Sequence, residues 1–195
     1  MPAVVRLARP EEFGLLEALE NSADELLIER FRPSKWPTAP NSSARAEMAG
    51  FIYVVEESAG GGIVGFAQVL EIDGQAHLEQ LSVIPSHGRR GYGRALVSAV
   101  GAEAKRRGYG SVTLRTYADV PWNAPFYADC GFVESRPDTA FLRALVRTEA
   151  RLGLDDHGRR LQMTADASVL AGATRRRGDQ GWVAGMPPPI DPVFE

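Results

Sequence analysis

Residues 77 to 96 constrain the fold more than any other stretch of this chain. His77-Leu78-Glu79-Gln80-Leu81-Ser82-Val83 reads as a strand, Ile84 to His87 as a short connection, and Gly88-Arg89-Arg90-Gly91-Tyr92-Gly93-Arg94 as a basic, glycine-rich loop. The loop opens a helix whose Leu96, Val97, Val100 and Ala104 fall on one face. Ser111 to Tyr117, rich in β-branched and aromatic residues, reads as the next strand. A strand, a helix and a strand in succession most simply put the second strand parallel to the first through a right-handed crossover. Glycines that let the backbone approach a ligand, set at a helix N-terminus where free N–H groups favour anions, make a phosphate cradle and imply a phosphorylated cofactor. The spacing excludes a P-loop, because Arg94 and Ala95 follow Gly93 where lysine and a hydroxyl residue would be needed. It also departs from the dinucleotide fingerprint, with Leu96 at the place of the third glycine.

The rest of the chain supplies a mixed α/β plan. Val4 to Ala8 reads as a first strand, and Glu12 to Glu20 as a helix with Phe13, Leu16 and Leu19 inward. Ser22-Ala23-Asp24-Glu25 reads as a capping box opening a second short helix to about Arg30, and residues 31 to 43, with three prolines, as a loop. Phe51 to Glu57 and Ile63 to Ile72 are expected strands, and Asp73-Gly74 a tight hairpin into the His77 strand. Three antiparallel strands therefore lead into the glycine-rich loop. Phe141 to Leu152 has helical period, with Leu142, Leu145, Val146 and Leu152 on one side and Gly153 as its stop, and Arg159 to Thr164 is the last expected strand.

With 195 residues, 44% of them hydrophobic, the chain suits one domain, assigned to residues 1–165, with residues 166–195 as a flexible or docking tail. The tail carries Arg175-Arg176-Arg177 and Pro187-Pro188-Pro189, a composition that builds no core alone, while Trp182, Val193 and Phe194 offer apolar contacts to the body or a partner subunit. Cys130 is the single cysteine, so no internal disulfide forms and a reducing compartment fits. No apolar run nears the ~20 residues of a membrane span, and residues 1 to 6 show no signal-peptide pattern, so a cytoplasmic location is expected. The net charge of −3 argues against general nucleic-acid binding. His77, His87 and His157 show no metal-ligand spacing, and no metal is expected.

A second motif lies downstream. Trp122-Asn123-Ala124-Pro125-Phe126-Tyr127-Ala128-Asp129-Cys130-Gly131-Phe132 reads as one short helix, with Asn123 able to cap it, Pro125 in its first turn and Gly131 ending it. The strand with its Gly91-x-Gly93 loop, followed by Asn123-x-x-x-Tyr127 and Gly131-Phe132, resembles the GNAT superfamily of N-acetyltransferases over about residues 4 to 165. One position departs: Gly88 stands where the family usually has Gln or Arg, so it offers a backbone N–H and no side chain.

The resemblance implies a GNAT-like fold, a mixed and mostly antiparallel sheet of six to seven strands flanked by helices, with acetyl-CoA as co-substrate. It implies direct transfer of an acetyl group from the thioester to a primary amine, on a small molecule or a protein, with no covalent enzyme intermediate. Residues 88 to 94 (Gly88, Arg89, Arg90, Gly91, Tyr92, Gly93, Arg94) would hold the pyrophosphate. The Leu81 N–H would meet the thioester oxygen, Val83 the pantetheine amides, with Ser82 between them, and Asn123 the pantetheine arm or a water. Tyr127 matches the residue that protonates or hydrogen-bonds the leaving thiolate. Glu79 and His77 lie two residues apart on one strand face, which Leu81 and Val83 would share, and the family uses both strand positions for bases. Glu79, directly or through water, is the first choice and His77 the second. Cys130 reads as a buried small residue rather than a nucleophile. Glu20, Asp24, Glu25, Phe31, Trp36, Tyr117 and Trp122 would suit a cationic amine or a protein N-terminus, but name no substrate. A non-catalytic acyl-CoA-binding regulator, and an acyltransferase acting on a protein or tRNA, remain open at this point. So does a homodimer.

Overall fold

Turn chemistry and alternation place the central strands where the sequence predicts them. The structure, a computed structural model, describes residues 3–173. Strand β3 (Ile63–Ile72) returns as β4 (Gln75–Val83) through Asp73 and Gly74, both at positive φ (52° and 74°), the backbone that matches the twist of a two-residue hairpin. With β1 (Val4–Leu7), β2 (Gly50–Glu56), β5 (Ser111–Tyr117), β6 (Val133–Ser135) and β7 (Arg160–Asp166) they form a seven-stranded sheet, ordered β1-β2-β3-β4-β5-β7-β6. Every neighbouring pair is antiparallel except β4 and β5. Helix α3 (Tyr92–Arg106) makes the crossover between those two, and it buries Leu96, Val97, Val100 and Ala104 fully against one face of the sheet. The opposite face receives α1 (Phe13–Phe31), whose Leu16 and Leu19 pack on Ile52, Val54 and Phe66. Among the described residues no helix is long and apolar enough to cross a membrane.

Several expectations give way to tertiary packing. The helix expected to restart at Ser22 does not: α1 runs unbroken, because Ser and Asp inside a helix cost only a few tenths of a kcal/mol and nothing between Asn21 and Glu25 breaks the ladder. It ends at Arg32, left-handed at φ 47°, directly before Pro33. The expected loop closes early, at α2 (Ser42–Glu47), whose first turn is capped by the Asn41 side chain accepting the Ala44 N–H at 2.9 Å. Of the apolar residues expected on one side of α5 (Ala140–Arg151), Leu142 is buried but Leu152 is 56% exposed. Strand β6 has only three residues, too short for its own period to announce it.

Beyond residue 165 the chain continues against the body. Helix α6 (Ala167–Ala171) lies on α3 with Leu170 fully buried. A Cβ at Gly101 would sit 2.4 Å from the Leu170 Cβ and 2.6 Å from the Ala171 N, so the glycine is what lets the two helices touch. The rest of the expected tail, with Trp182, Val193 and Phe194, lies outside the described residues.

Candidate active site

A parallel pair with evenly spaced bonds would normally run the length of both strands. Here β4 and β5 pair only over Ala76–Leu78 and Val112–Leu114, and past Leu78 they separate. The backbone on the open side of β4 follows from its pairing with β3. The Ile84 N–H donates to the Val64 carbonyl at 2.9 Å, so in the alternating antiparallel pattern Ser82 also turns its main chain to β3. The N–H and C=O groups of Leu81 and Val83 therefore face the gap.

A β-bulge sits beside the gap. Gln68 opposes Gln80 and Val69 opposes Leu78, which leaves Glu79 as the extra residue. The bulge flips the alternation, so Ala76, Leu78, Leu81 and Val83 all join the core beneath α3. This corrects the expectation that Leu81 and Val83 share a face with His77. His77 points the other way, toward the side of α1 and α5, and Glu79 joins it, His77 Nε2 and Glu79 Oε2 lying 3.6 Å apart.

Both line a cleft of about 440 Å³, walled by α1, α5, the residues after α1, and the separated strands. Asn123 and Tyr127 reach its wall from α4 (Ala124–Asp129). His77 is buried, its Nδ1 2.8 Å from the Thr113 hydroxyl and its ring edge-on to Phe141. Burial, then the charges of Arg115 and Arg160, lower its pKa to about 4, so the ring is neutral near pH 7. The Glu79 side chain keeps 42% of its surface open to the cleft. Its poorly solvated position, then Glu149 and Glu20, push its pKa above the usual carboxylate value. Burial holds the Tyr127 phenol well above its ordinary pKa, so it stays protonated.

The loop before α3 takes a shape that only some residues allow. Arg89 and Gly91 have positive φ (56° and 81°), and Gly91 is the residue before the first helical turn. The first bond of the helix runs from the Ala95 N–H to the Gly91 carbonyl, so the N–H groups of Tyr92 and Gly93 precede the intrahelical ladder of α3. A Cβ at Gly93 would lie 3.3 Å from the Phe126 ring, and this close approach seats α4 beside the loop. Arg90 is engaged by Glu57 at 2.6 Å and Arg94 by the Asp129 carbonyl at 2.9 Å, while Arg89 is exposed. Gly88, at φ −60°, follows the short turn of Pro85–His87.

The Asn123 side chain does not cap α4, contrary to expectation. The residue's main-chain carbonyl accepts the Tyr127 N–H at 3.1 Å, and the amide is left toward the cleft. Cys130 is buried in the core. Of the aromatic and acidic residues considered for an acceptor, Glu20, Asp24, Trp36 and Tyr117 line the cleft; Glu25 is exposed, and Phe31 and Trp122 sit behind the wall.

Polar residues that the sequence reading did not single out complete the wall. Arg115 and Arg160 both donate to Glu149, at 2.6 and 2.5 Å, and Arg160 lies over the Tyr117 ring at 4.5 Å. Buried Arg45 donates to Glu20 and, at 2.5 Å, to Gln68. Arg115 carried a usable signal: it stands two residues after Thr113, on the strand face opposite Val112 and Leu114. Arg45 carried none, because nothing local distinguishes it from a solvated helix arginine.

A family model described as the acetyltransferase (GNAT) family matches residues 17–132. Among solved structures, the ribosomal-protein-S18-alanine N-acetyltransferase of Escherichia coli is 17% identical with a TM-score of 0.57, over 85% of this chain and 94% of that one. The PaiA N-acetyltransferase of Thermoplasma acidophilum, solved with coenzyme A, is 14% identical with a TM-score of 0.59, over 85% and 99%. Rv2747 of Mycobacterium tuberculosis, solved in complex with CoA, is 19% identical with a TM-score of 0.59, over 84% and 98%. At these identities the likeness is one of fold.

Proposed function

Since the chain belongs to the GNAT acetyltransferase family, we propose that it moves an acetyl group from acetyl-CoA directly to a primary amine, using Glu79 as base and Tyr127 as acid. One observation carries this reading: the gap between β4 and β5 exposes the backbone of Leu81 at the same cleft that Glu79 and Tyr127 line, with the backbone of Val83 further along the gap. Bound acetyl-CoA supplies the activated acyl group, and every other requirement falls to the chain.

The N–H groups of Tyr92 and Gly93, which precede the first bond of α3, together with the positive end of that helix, suit a pyrophosphate. Gly88 brings no side chain, and its N–H already donates to the Pro85 carbonyl at 3.1 Å, so the neighbouring charge falls to the exposed Arg89. Leu81 and Val83 offer strand-like pairing to the amides of an extended arm, and the Leu81 N–H is the donor for the carbonyl that must be polarised. Glu79 takes a proton from the incoming ammonium, and its raised pKa makes it a stronger base than an ordinary carboxylate. His77 is neutral. When the Thr113 hydroxyl donates to Nδ1, the Nε2–H turns to Glu79 and orients it. Tyr127, protonated throughout the physiological range, donates to the departing thiolate.

Titration with acetyl-CoA by calorimetry, with release of free thiol followed across a panel of amines, tests the reading. Saturable binding and amine-dependent release are expected. Binding without release for any amine would reduce the chain to an acyl-CoA receptor.

A further inference from the structure

Besides the proposed base, the cleft holds one carboxylate to which no cation pairs among the described residues. Four acids line it. Glu20 is matched by Arg45, and Glu149 by Arg115 and Arg160. Glu79 faces the neutral His77 and is the base of the transfer proposed above. Asp24 receives only the indole N–H of Trp36, at 3.0 Å on Oδ2, and among the described residues no cation pairs with it.

The position of Asp24 follows from the continuity of α1. Glu20, Asp24, Leu27 and Phe31 recur at spacings of four, three and four, one helical face. The first three line the cleft, and Phe31 backs its wall, stacked on Trp36 with ring centroids 6.2 Å apart and tilted against Tyr117 at 4.8 Å. Leu27, Leu152 and Leu154 add apolar surface to the same cleft. An anion in such surroundings attracts a cation more strongly than one in open water, and an indole face adds to the attraction. Burial pushes the Asp24 pKa up, and the charge of Asp24 contributes to raising that of Glu20, so a cation here relieves a local excess of negative charge.

We propose that the acceptor is a primary amine bearing a second positive charge, which Asp24 holds against Trp36 while the reacting amine lies at Glu79. This inference rests on the transfer reading for the role of the site, but its test separates the two. Thiol release from acetyl-CoA is measured with a homologous series of α,ω-diaminoalkanes, with alkylamines of matched length, and with ω-amino acids. For the best diamine, kcat/KM should exceed that of its alkylamine by roughly tenfold or more, with the ω-amino acid poorest. In Asp24→Asn, which keeps an oxygen for the Trp36 N–H, the ratio should fall toward one through a rise in the diamine KM. Equal kcat/KM for diamine and alkylamine in the wild-type protein overturns the inference and leaves amine transfer standing. Should no amine release thiol, calorimetry with the same diamine and alkylamine in the presence of acetyl-CoA decides: tighter diamine binding upholds the subsite, and equal or absent binding overturns it. The wild-type comparison reads the inference even if Asp24→Asn fails to fold.

Discussion

In the proposed transfer Tyr127 is the acid and Glu79 the base, although burial disfavours the anionic form of both. Burial of the phenol disfavours its anion, which suits an acid, and the same effect on Glu79 favours a proton, which suits a base working above the usual carboxylate range. Tyr127→Phe keeps the ring that packs on Phe126 and Phe132 and removes the donor. Turnover should fall by roughly ten- to a thousand-fold, with calorimetric affinity for acetyl-CoA little changed. For Glu79 the sign is fixed by its raised pKa: kcat/KM should decline as the pH drops through a value above the ordinary carboxylate one. In Glu79→Gln that acidic limb should vanish along with most of the activity, in a pH–rate profile. Persistence of the limb in the variant would transfer the role of base to another group. The pairing of these two residues was legible in the sequence, since each stands in a motif. The neutrality of His77 was not, because it depends first on burial by the assembled fold and then on Arg115 and Arg160, which arrive from other strands.

At the scale of elements, the glycines report the close contacts. Gly101→Ala places a Cβ against Leu170 and the backbone of α6, so it should destabilise the fold by about 1–3 kcal/mol, measured by urea denaturation. An unchanged midpoint would mean that α6 shifts away freely. Strands β3 and β5 were readable to the residue, since alternation and turn chemistry are local signals. The single long α1 was not readable, because a good capping box at Ser22 competes with a continuous packed face, and packing decides. The bulge at Glu79 was equally hidden: an extra residue is defined by its partner strand, so β4 alone reads as unbroken alternation. That one unpaired residue explains how His77 and Leu81 come to lie on opposite faces.

Across the whole molecule, acid stability should report the burial of His77. The ring is neutral in the folded protein with a pKa near 4, against an ordinary value of 6.5, so the unfolded chain binds the extra proton first. The contribution to stability is complete above pH 6.5 and is lost as the pH falls toward 4. Over that interval the loss attributable to His77 reaches about 3 kcal/mol. Urea denaturation at both ends of the interval should show a smaller decline for His77→Gln than for the wild-type chain, and equal declines would refute the assignment. The gap between β4 and β5 has a consequence of a different kind. Unpaired strand edges usually lie at a sheet's margin, where a neighbouring protein can add a strand and begin to aggregate. This sheet carries a second pair of edges in its interior, with α3 and α4 on one side and α1 and α5 on the other. Those interior edges are screened by helices on both faces, and in the proposed function a slender arm bearing its own amides would pair with Leu81 and Val83 there, an adhesion suited to a small guest rather than to another sheet.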